Sequence, residues 1–484
     1  GLFDDEDKPQ IGIMVETASI IFQSDDFYLT LAGLAKKYGT KPFMSIGSND
    51  LTQFTLGLGR DNEKMTVYFD EGDPAMLVAL EIVIKKAAEY GIWSGYCGQR
   101  PSNDPAFAAF LVRCGIKSIS VVKDVYAKVN KVIADEEAKL VNVPYDPVIS
   151  GWVMPQKDGN PQKISSVEVD VSEIIKNMKI HPLVLLEIDG VGKQNLDPII
   201  QGEIKESFGG KSAKEYVVDF IFKAIMDKVA ATSKDMPIIY TTDDLEKPAY
   251  EALLEDGKHE LFDENPHLGF KGLERVIDSD YVEFFRWQLE AIKKARTASG
   301  RKNIGIRLDS PTKLGSVEKA IKIMKEAGLV PGVDGFMAGM EIAKPANALV
   351  LGKYIDLGIN FFSENTEGFL SYLLALDPHS PYIRINDQAK ERALENPRRI
   401  WTTIAENRKI PLMQSNGEVF TALDRKVNSN FDTRANDKFV SSFEKSDYFK
   451  GALVIDANTI FENSCLSALR KIKDAKIGIA ITVW

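Results

Sequence analysis

Three apolar runs in the first hundred residues each end in a group that could do chemistry. Ile11-Gly12-Ile13-Met14-Val15 reaches the carboxylate of Glu16. Phe43-Met44-Ser45-Ile46-Gly47 reaches Ser48, Asn49 and Asp50, which supply a hydroxyl, an amide and a carboxylate. Trp93-Ser94-Gly95-Tyr96 reaches the thiol of Cys97, followed by Gly98. Two carboxylates at neighbouring strand ends suit a hard divalent cation, which prefers oxygen ligands. They equally suit two helix starts answering the local dipole. A thiol whose pKa lies near the working pH can carry a proton; a buried cysteine is the plainer alternative. Ser48 and Asn49 can donate hydrogen bonds to an anionic group, and Gly47 lets the backbone come close. The same residues can simply shape a turn.

The elements that must hold these groups follow from the pattern around them. Continuous apolar runs are the mark of strands covered on both faces. Strands are expected at Ile11–Val15, Phe43–Ile46, Ile92–Cys97 and Ser118–Val122. Helices are expected from Ser19 to about Lys37, from Pro74 to about Tyr90 with Asp73 as cap, from Asp104-Pro105 to about Cys114, and from Asp124 to about Lys139. Leu51 to Asp70 reads as a long mixed loop. Four βα units in series predict a parallel sheet with right-handed crossovers. Active groups at the carboxyl ends of successive strands predict the mouth of a β/α barrel. Four units are half of one, so the other half is expected from residues before Gly1 or from another chain.

The three strand ends, Ile-Gly-Ile-Met-Val-Glu16, Ser-Ile-Gly-Ser-Asn-Asp50-Leu-Thr-Gln and Gly-Tyr-Cys97-Gly-Gln, resemble in order and interval the C-terminal barrel of the phosphoenolpyruvate-utilising enzymes. Cys97-Gly98-Gln99 followed by Arg100-Pro101-Ser102-Asn103-Asp104-Pro105 most resembles the synthase branch, whose motif runs Cys-Gly-Gln-Ala-Pro-Ser. The resemblance covers residues 10 to about 140. It implies that Glu16 and Asp50 ligate Mg²⁺, that Cys97 is the acid/base group acting on the methyl carbon of pyruvate, and that Gly47, Ser48, Asn49 and Asp50 line the substrate. It implies phosphoryl transfer through a phosphohistidine. None of the four histidines (His181, His259, His267, His379) has the Thr-Ser-His or Thr-Cys-His setting of that group, and no glycine-rich ATP-grasp pattern is present. Phosphohistidine and ATP-grasp domains are therefore expected upstream of residue 1, and the chain alone is expected to be inert.

Leu140 to about Lys163 is rich in Pro and Gly and reads as a linker. Beyond it, candidate strands are Ser166–Asp170, Leu183–Ile188, Pro237–Thr241, Ile304–Leu308, Gly335–Glu341, Asn360–Ser363, Pro411–Ser415 and Gly451–Ile455. Eight strands with helices between them predict a second, complete (β/α)8 barrel. Glu264-Asn265-Pro266-His267-Leu268-Gly269-Phe270-Lys271-Gly272 resembles the family loop Asn-Pro-Met-Leu-Gly-aromatic-Arg-Gly, with lysine for arginine. Gly339-Met340-Glu341 matches Met14-Val15-Glu16. An ungapped match puts Glu367 and Gly368 opposite Asn49 and Asp50, and Ser415 or Asn416 opposite Cys97. Family arginines are replaced at Leu185-Leu186-Glu187 and at Tyr240-Thr241-Thr242-Asp243, which removes bidentate phosphate recognition. The fold class is thus α/β, with residues 1–140 the last four units of one barrel, 141–164 a linker, and 165–484 a second, degenerate and non-catalytic barrel. Gly305-Ile306-Arg307-Leu308-Asp309-Ser310 also resembles a stretch of nicotinate phosphoribosyltransferases, but Pro311-Thr312 stands where that family has Gly-Asp.

Composition excludes several classes. A formal net charge of −10 argues against nucleic acid held by bulk electrostatics. No run approaches the ~18 apolar residues of a membrane span, and no signal peptide precedes the first strand. Three cysteines without paired spacing predict neither a disulfide framework nor a zinc motif, and a cytoplasmic setting. Cys114 and Cys465 are expected in cores. The expected protein is the C-terminal part of a pyruvate, water dikinase-like enzyme that forms an oligomer. The alternative is a self-assembly protein built from recruited barrels.

Overall fold

The structure is a computed structural model and describes residues 11–141, 154–155, 157–191, 198–253, 265–378, 387–415, 452–456 and 478–482. The first unit contains β1 (Ile11–Val15), β2 (Pro42–Gly47), β3 (Trp93–Cys97) and β4 (Ser118–Ile119), all paired in parallel. Its helices are α1 (Asp25–Lys37), α2 (Ser48–Leu56), α3 (Pro74–Glu89), α4 (Arg100–Asn103), α5 (Pro105–Cys114) and α6 (Tyr126–Leu140). Local chemistry sets two of the starts. The carboxylates of Asp73 and Asp104 accept from the amides of Ala75 and Ala106 at 2.9 and 3.0 Å, each with proline at the first helical position. Cys114, 4% exposed, closes the buried face of α5 as expected.

Three local expectations fail. The span Ser19–Lys37 is not one helix: a 3₁₀ turn, Ala18–Phe22, is separated from α1 by extended backbone at Gln23 and Ser24. Leu51–Asp70 is not all loop, because α2 starts directly on the end of β2 and buries Leu51, Thr52, Thr55 and Leu56. The fourth strand is two residues long and stops at Ile119.

The second unit contains β5 (Lys163–Asp170), β6 (Ile238–Thr241), β7 (Ile304–Leu308), β8 (Ala338–Ile342), β9 (Phe361–Glu364) and β10 (Leu412–Ser415). These six close on themselves in the order β10-β5-β6-β7-β8-β9, every pair parallel. The expected eight strands are therefore six among the described residues, for two reasons. Leu183–Ile188 lies in a helix, Pro182–Ile188, started by Pro182 and capped by the ring of His181, which accepts from the Leu183 amide at 3.1 Å. The last expected strand, observed as β11 (Ala452–Asp456), leaves this unit. With β12 (Gly478–Thr482) it joins the first sheet beside β1, giving the order β11-β12-β1-β2-β3-β4. The first unit thus takes two strands from the far end of the same chain, a source the sequence reading did not include. Among the described residues that sheet has six strands.

The two units share one apolar core. Phe22 meets Phe369 edge-on at 6.1 Å, and the carbonyl of Phe22 accepts from Asn396 at 2.8 Å. The loops after β2 and those after β6, β7 and β8 meet each other. The Gly59 amide donates to the carbonyl of Leu268 at 2.6 Å, and Lys64 bridges Asp278 and Asp280 at 3.1 and 3.0 Å. The strand ends of the two units are therefore neighbours.

Candidate active site

Strand register places the first-unit candidates. Val15 pairs with Ile46, and Gly47 pairs with Cys97, so Glu16, Gly47 and Cys97 stand in one row across the carboxyl ends of β1, β2 and β3. A side chain on Gly47 would reach within 2.8 Å of the Glu16 Cγ, so glycine there is what lets Glu16 lie across the end of β2. Asp50 follows in the first turn of α2. Cys97 is exposed, and Asn49 is half-buried.

Glu16 is pushed above the ordinary carboxylate range, first by burial and then by repulsion from Asp50. The two carboxylates are close enough to feel each other. Neither has an ion pair or hydrogen-bond partner among the described residues. No group of three or more His, Cys, Asp or Glu side chains suited to a metal occurs among them. Two oxygen-donor side chains fit an ion such as Mg²⁺, which is commonly bound by one or two carboxylates with water and substrate oxygens completing the shell.

Ser48 is placed differently. It is 1% exposed, and its hydroxyl donates to the carboxylate of Glu71 and lies 3.1 Å from the carbonyl oxygen of Cys97. It ties strand ends together rather than facing the mouth. Glu71 itself escaped the sequence reading, because Asp70-Glu71-Gly72-Asp73 looks like a solvated acidic turn. It is 7% exposed and also accepts from the Arg100 amide at 2.8 Å. Arg60, 43% exposed on its side chain, pairs with Asp61 at 3.5 Å. Ser102 accepts from the Val122 amide at 3.0 Å and fixes the start of the segment after β4.

The second unit's strand ends carry charge of both signs. Arg307 binds Glu168 and grips Asp309 with two nitrogens, at 2.6 and 3.1 Å. Glu341 accepts from the Ser310 amide at 3.3 Å. Lys344, 2% exposed and pushed down by burial, donates to Thr312 at 2.6 Å. Lys271 binds Glu246 at 3.0 Å. Arg275 stacks on Tyr250 at 3.6 Å and donates to the Tyr281 hydroxyl at 2.6 Å. One oxygen each of Asp244 and Glu274 is buried without a hydrogen bond, but both acids lie in the field of Lys344, and Asp244 also in that of Lys271. Guanidinium groups are therefore present at this end of the barrel, contrary to the sequence expectation, but Arg307 is occupied by the chain's own acids and Arg275 by tyrosines. His267 stacks on Tyr372 at 4.4 Å and bonds Ser371 at 2.7 Å, as a packed core histidine does. The counterpart of Cys97, at Ser415 or Asn416, lies at the edge of or outside the described residues.

The parallel strands of both units, with two carboxylates, a small turn and a thiol at adjacent strand ends of the first, can be set beside known sequences. Residues 3–138 and 175–409, well over half of the chain, match the family described as PEP-utilising enzyme, PEP-binding domain, and the chain belongs to that family. Among relatives, the phosphoenolpyruvate synthase of Aeropyrum pernix is 42% identical over 134 residues, 27% of this chain and 15% of the relative. That of Pyrococcus furiosus is 47% identical over 98 residues, 20% of this chain and 12% of the relative. A probable phosphoenolpyruvate synthase of Methanocaldococcus jannaschii is 33% identical over 198 residues, 40% of this chain and 16% of the relative. The matched stretch spans less than a fifth of the length of each of these three relatives. No helix among the described residues is long and apolar enough to cross a membrane.

Proposed function

We propose that this chain is the C-terminal part of a phosphoenolpyruvate synthase-like enzyme and that its first unit carries the pyruvate site. The observation that carries this reading is the row Glu16–Gly47–Cys97 on three paired strands, with Asp50 near enough to repel Glu16. Phosphoenolpyruvate forms when pyruvate loses a methyl proton and the enol oxygen takes a phosphoryl group. Magnesium, held by Glu16 and Asp50, would supply positive charge where that oxygen becomes negative. Cys97, exposed at the end of β3, takes the methyl proton as thiolate and returns it as thiol in the reverse direction. Asn49 donates to the substrate carboxylate, and Gly47 leaves room for it. The phosphoryl group comes from a phosphohistidine on a domain outside this chain, with ATP as its source, so the 484 residues alone turn nothing over.

The second unit is proposed to be catalytically silent. Arg307 and Lys271 already hold its own acids, and an ungapped match puts Gly368 where the first unit has Asp50. Self-association by recruited barrels is the second reading, and it fits that unit only.

The test is Cys97→Ala in the complete protein. Loss of the acid/base group lowers phosphoenolpyruvate formation, and exchange of the pyruvate methyl protons with solvent, by ~10²–10⁴-fold. Unchanged exchange would remove the thiol from the mechanism.

A further inference from the structure

We infer that Glu71 is a positioning residue that locks the Asp50 and Cys97 turns together, and that the second barrel holds the loop carrying it. The inference rests on the reading of Cys97 given above. A carboxylate at 7% exposure is costly to bury unless donors satisfy it. Glu71 has two donors, and each belongs to a different strand end. The Ser48 hydroxyl lies one residue past β2 and two before Asp50. The Arg100 amide lies three residues past Cys97 and opens α4. One side chain therefore fixes the spacing between the carboxylate turn and the thiol turn. Gly98 completes the fit, since any side chain there would come within 2.6 Å of the Glu71 carboxylate.

The Arg100 guanidinium does not neutralise Glu71. It binds Asp70 and Asp104 instead, leaving the Glu71 oxygens to the hydroxyl and the amide. Asp70 is itself fixed by accepting from the Gly72 amide at 2.9 Å. The loop is then gripped from the second unit at three places. Leu268 accepts from Gly59 at 2.6 Å, Asp278 and Asp280 hold Lys64, and Lys313 lies 3.9 Å from Asp70. All the gripping residues lie after the ends of β6 or β7. A barrel without chemistry of its own thus has a mechanical task, which is to keep Glu71 in register with the two turns.

The experiment combines turnover with amide hydrogen exchange. In the complete protein, Glu71→Gln keeps the shape but offers one acceptor oxygen where two served. We expect kcat to fall about 10–100-fold with KM little changed, as a misplaced reacting group does. Amide exchange in residues 97–104 speeds up at least about tenfold while the strands β1–β3 keep their protection. In the 484-residue chain, Lys64→Ala with Lys313→Ala speeds exchange in 57–73 and, through Glu71, in 97–104. Glu71→Gln with kcat and local exchange both unchanged overturns the inference. Exchange that rises uniformly across the first unit also overturns it, because Glu71 would then be a general stabiliser. If Cys97→Ala leaves turnover intact while Glu71→Gln still loosens 97–104 alone, the lock stands and the pyruvate-site reading falls.

Discussion

The two strand-end regions of this chain differ in how they treat buried charge. In the first unit, Glu16 is repelled by Asp50, and neither has a counter-ion among the described residues. In the second, Arg307 is shared by Glu168 and Asp309, and Lys271 is held by Glu246. A parallel α/β architecture serves both. What separates a site from a plug is whether the acids are left for something outside the chain to neutralise. An unpaired carboxylate pair costs stability and persists where a ligand repays it. An internally paired cluster holds its elements together but has nothing left to offer a phosphate.

That contrast can be broken at its stronger end first. Arg307→Met leaves Glu168 and Asp309 facing each other in a site where the arginine side chain is 12% exposed. Removing one partner of a buried charge network typically costs about 3–5 kcal/mol, which chemical denaturation of the chain would show. A loss under ~1 kcal/mol would mean the cluster is not a structural plug.

Asp243 gives a second, smaller effect with a definite sign. Burial pushes its carboxyl up to about 7 against the nearby Arg275, while it bonds Tyr250 and accepts from the Leu245 amide at 2.9 Å. The folded state therefore keeps a proton that the unfolded chain releases near pH ~4. Stability from this group is full below that pH and is lost as pH rises to about 7, a change on the order of a few kcal/mol. Asp243→Asn should remove that slope from the difference in denaturation midpoint between pH 4 and 7. An unaltered slope would exclude Asp243 as its source.

The same linkage sharpens the first site. Because Glu16 is raised, a proton competes with any divalent cation there. Mn²⁺, used as a spectroscopic probe, should bind the 484-residue chain more weakly as pH falls, approaching a tenfold loss per pH unit once Glu16 is mostly protonated. Binding that ignores pH, or that survives Glu16→Gln, would place the cation elsewhere.

Much of the first unit was legible because its signals are local. Asp73-Pro74 and Asp104-Pro105 announce helix starts within three residues, and the caps stand where those residues put them. The strand ends were readable for the same reason, since Glu16, Gly47 and Cys97 close short apolar runs. The failures have local causes too. Leu183–Ile188 is six residues long and apolar but for Glu187, too short for periodicity to separate strand from buried helix. Pro182 was the cue that should have decided it. The helical turn after β2 was hidden because Ser48-Asn49-Asp50 resembles loop composition. Which sheet β11 joins was not legible at all, because an apolar strand does not name its partner. Glu71 was missed because burial of one acid among three is a tertiary fact, and only the glycine at position 98 hinted at a crowded neighbour.

On the proposed function, chemistry resides at the strand ends of the first unit, where Glu16 follows β1, and not at those of the second, where Glu341 lies within β8. The direct measurement is phosphoenolpyruvate formation by the complete protein carrying either Glu16→Gln or Glu341→Gln, with thermal denaturation to confirm that each remains folded. Loss of a metal-ligating carboxylate in the first should lower the rate by about a hundredfold or more. The second should leave the rate within about twofold at saturating pyruvate, since Glu341 belongs to the unit proposed to be catalytically silent. A large loss with Glu341→Gln in a folded protein, or none with Glu16→Gln, would contradict the account.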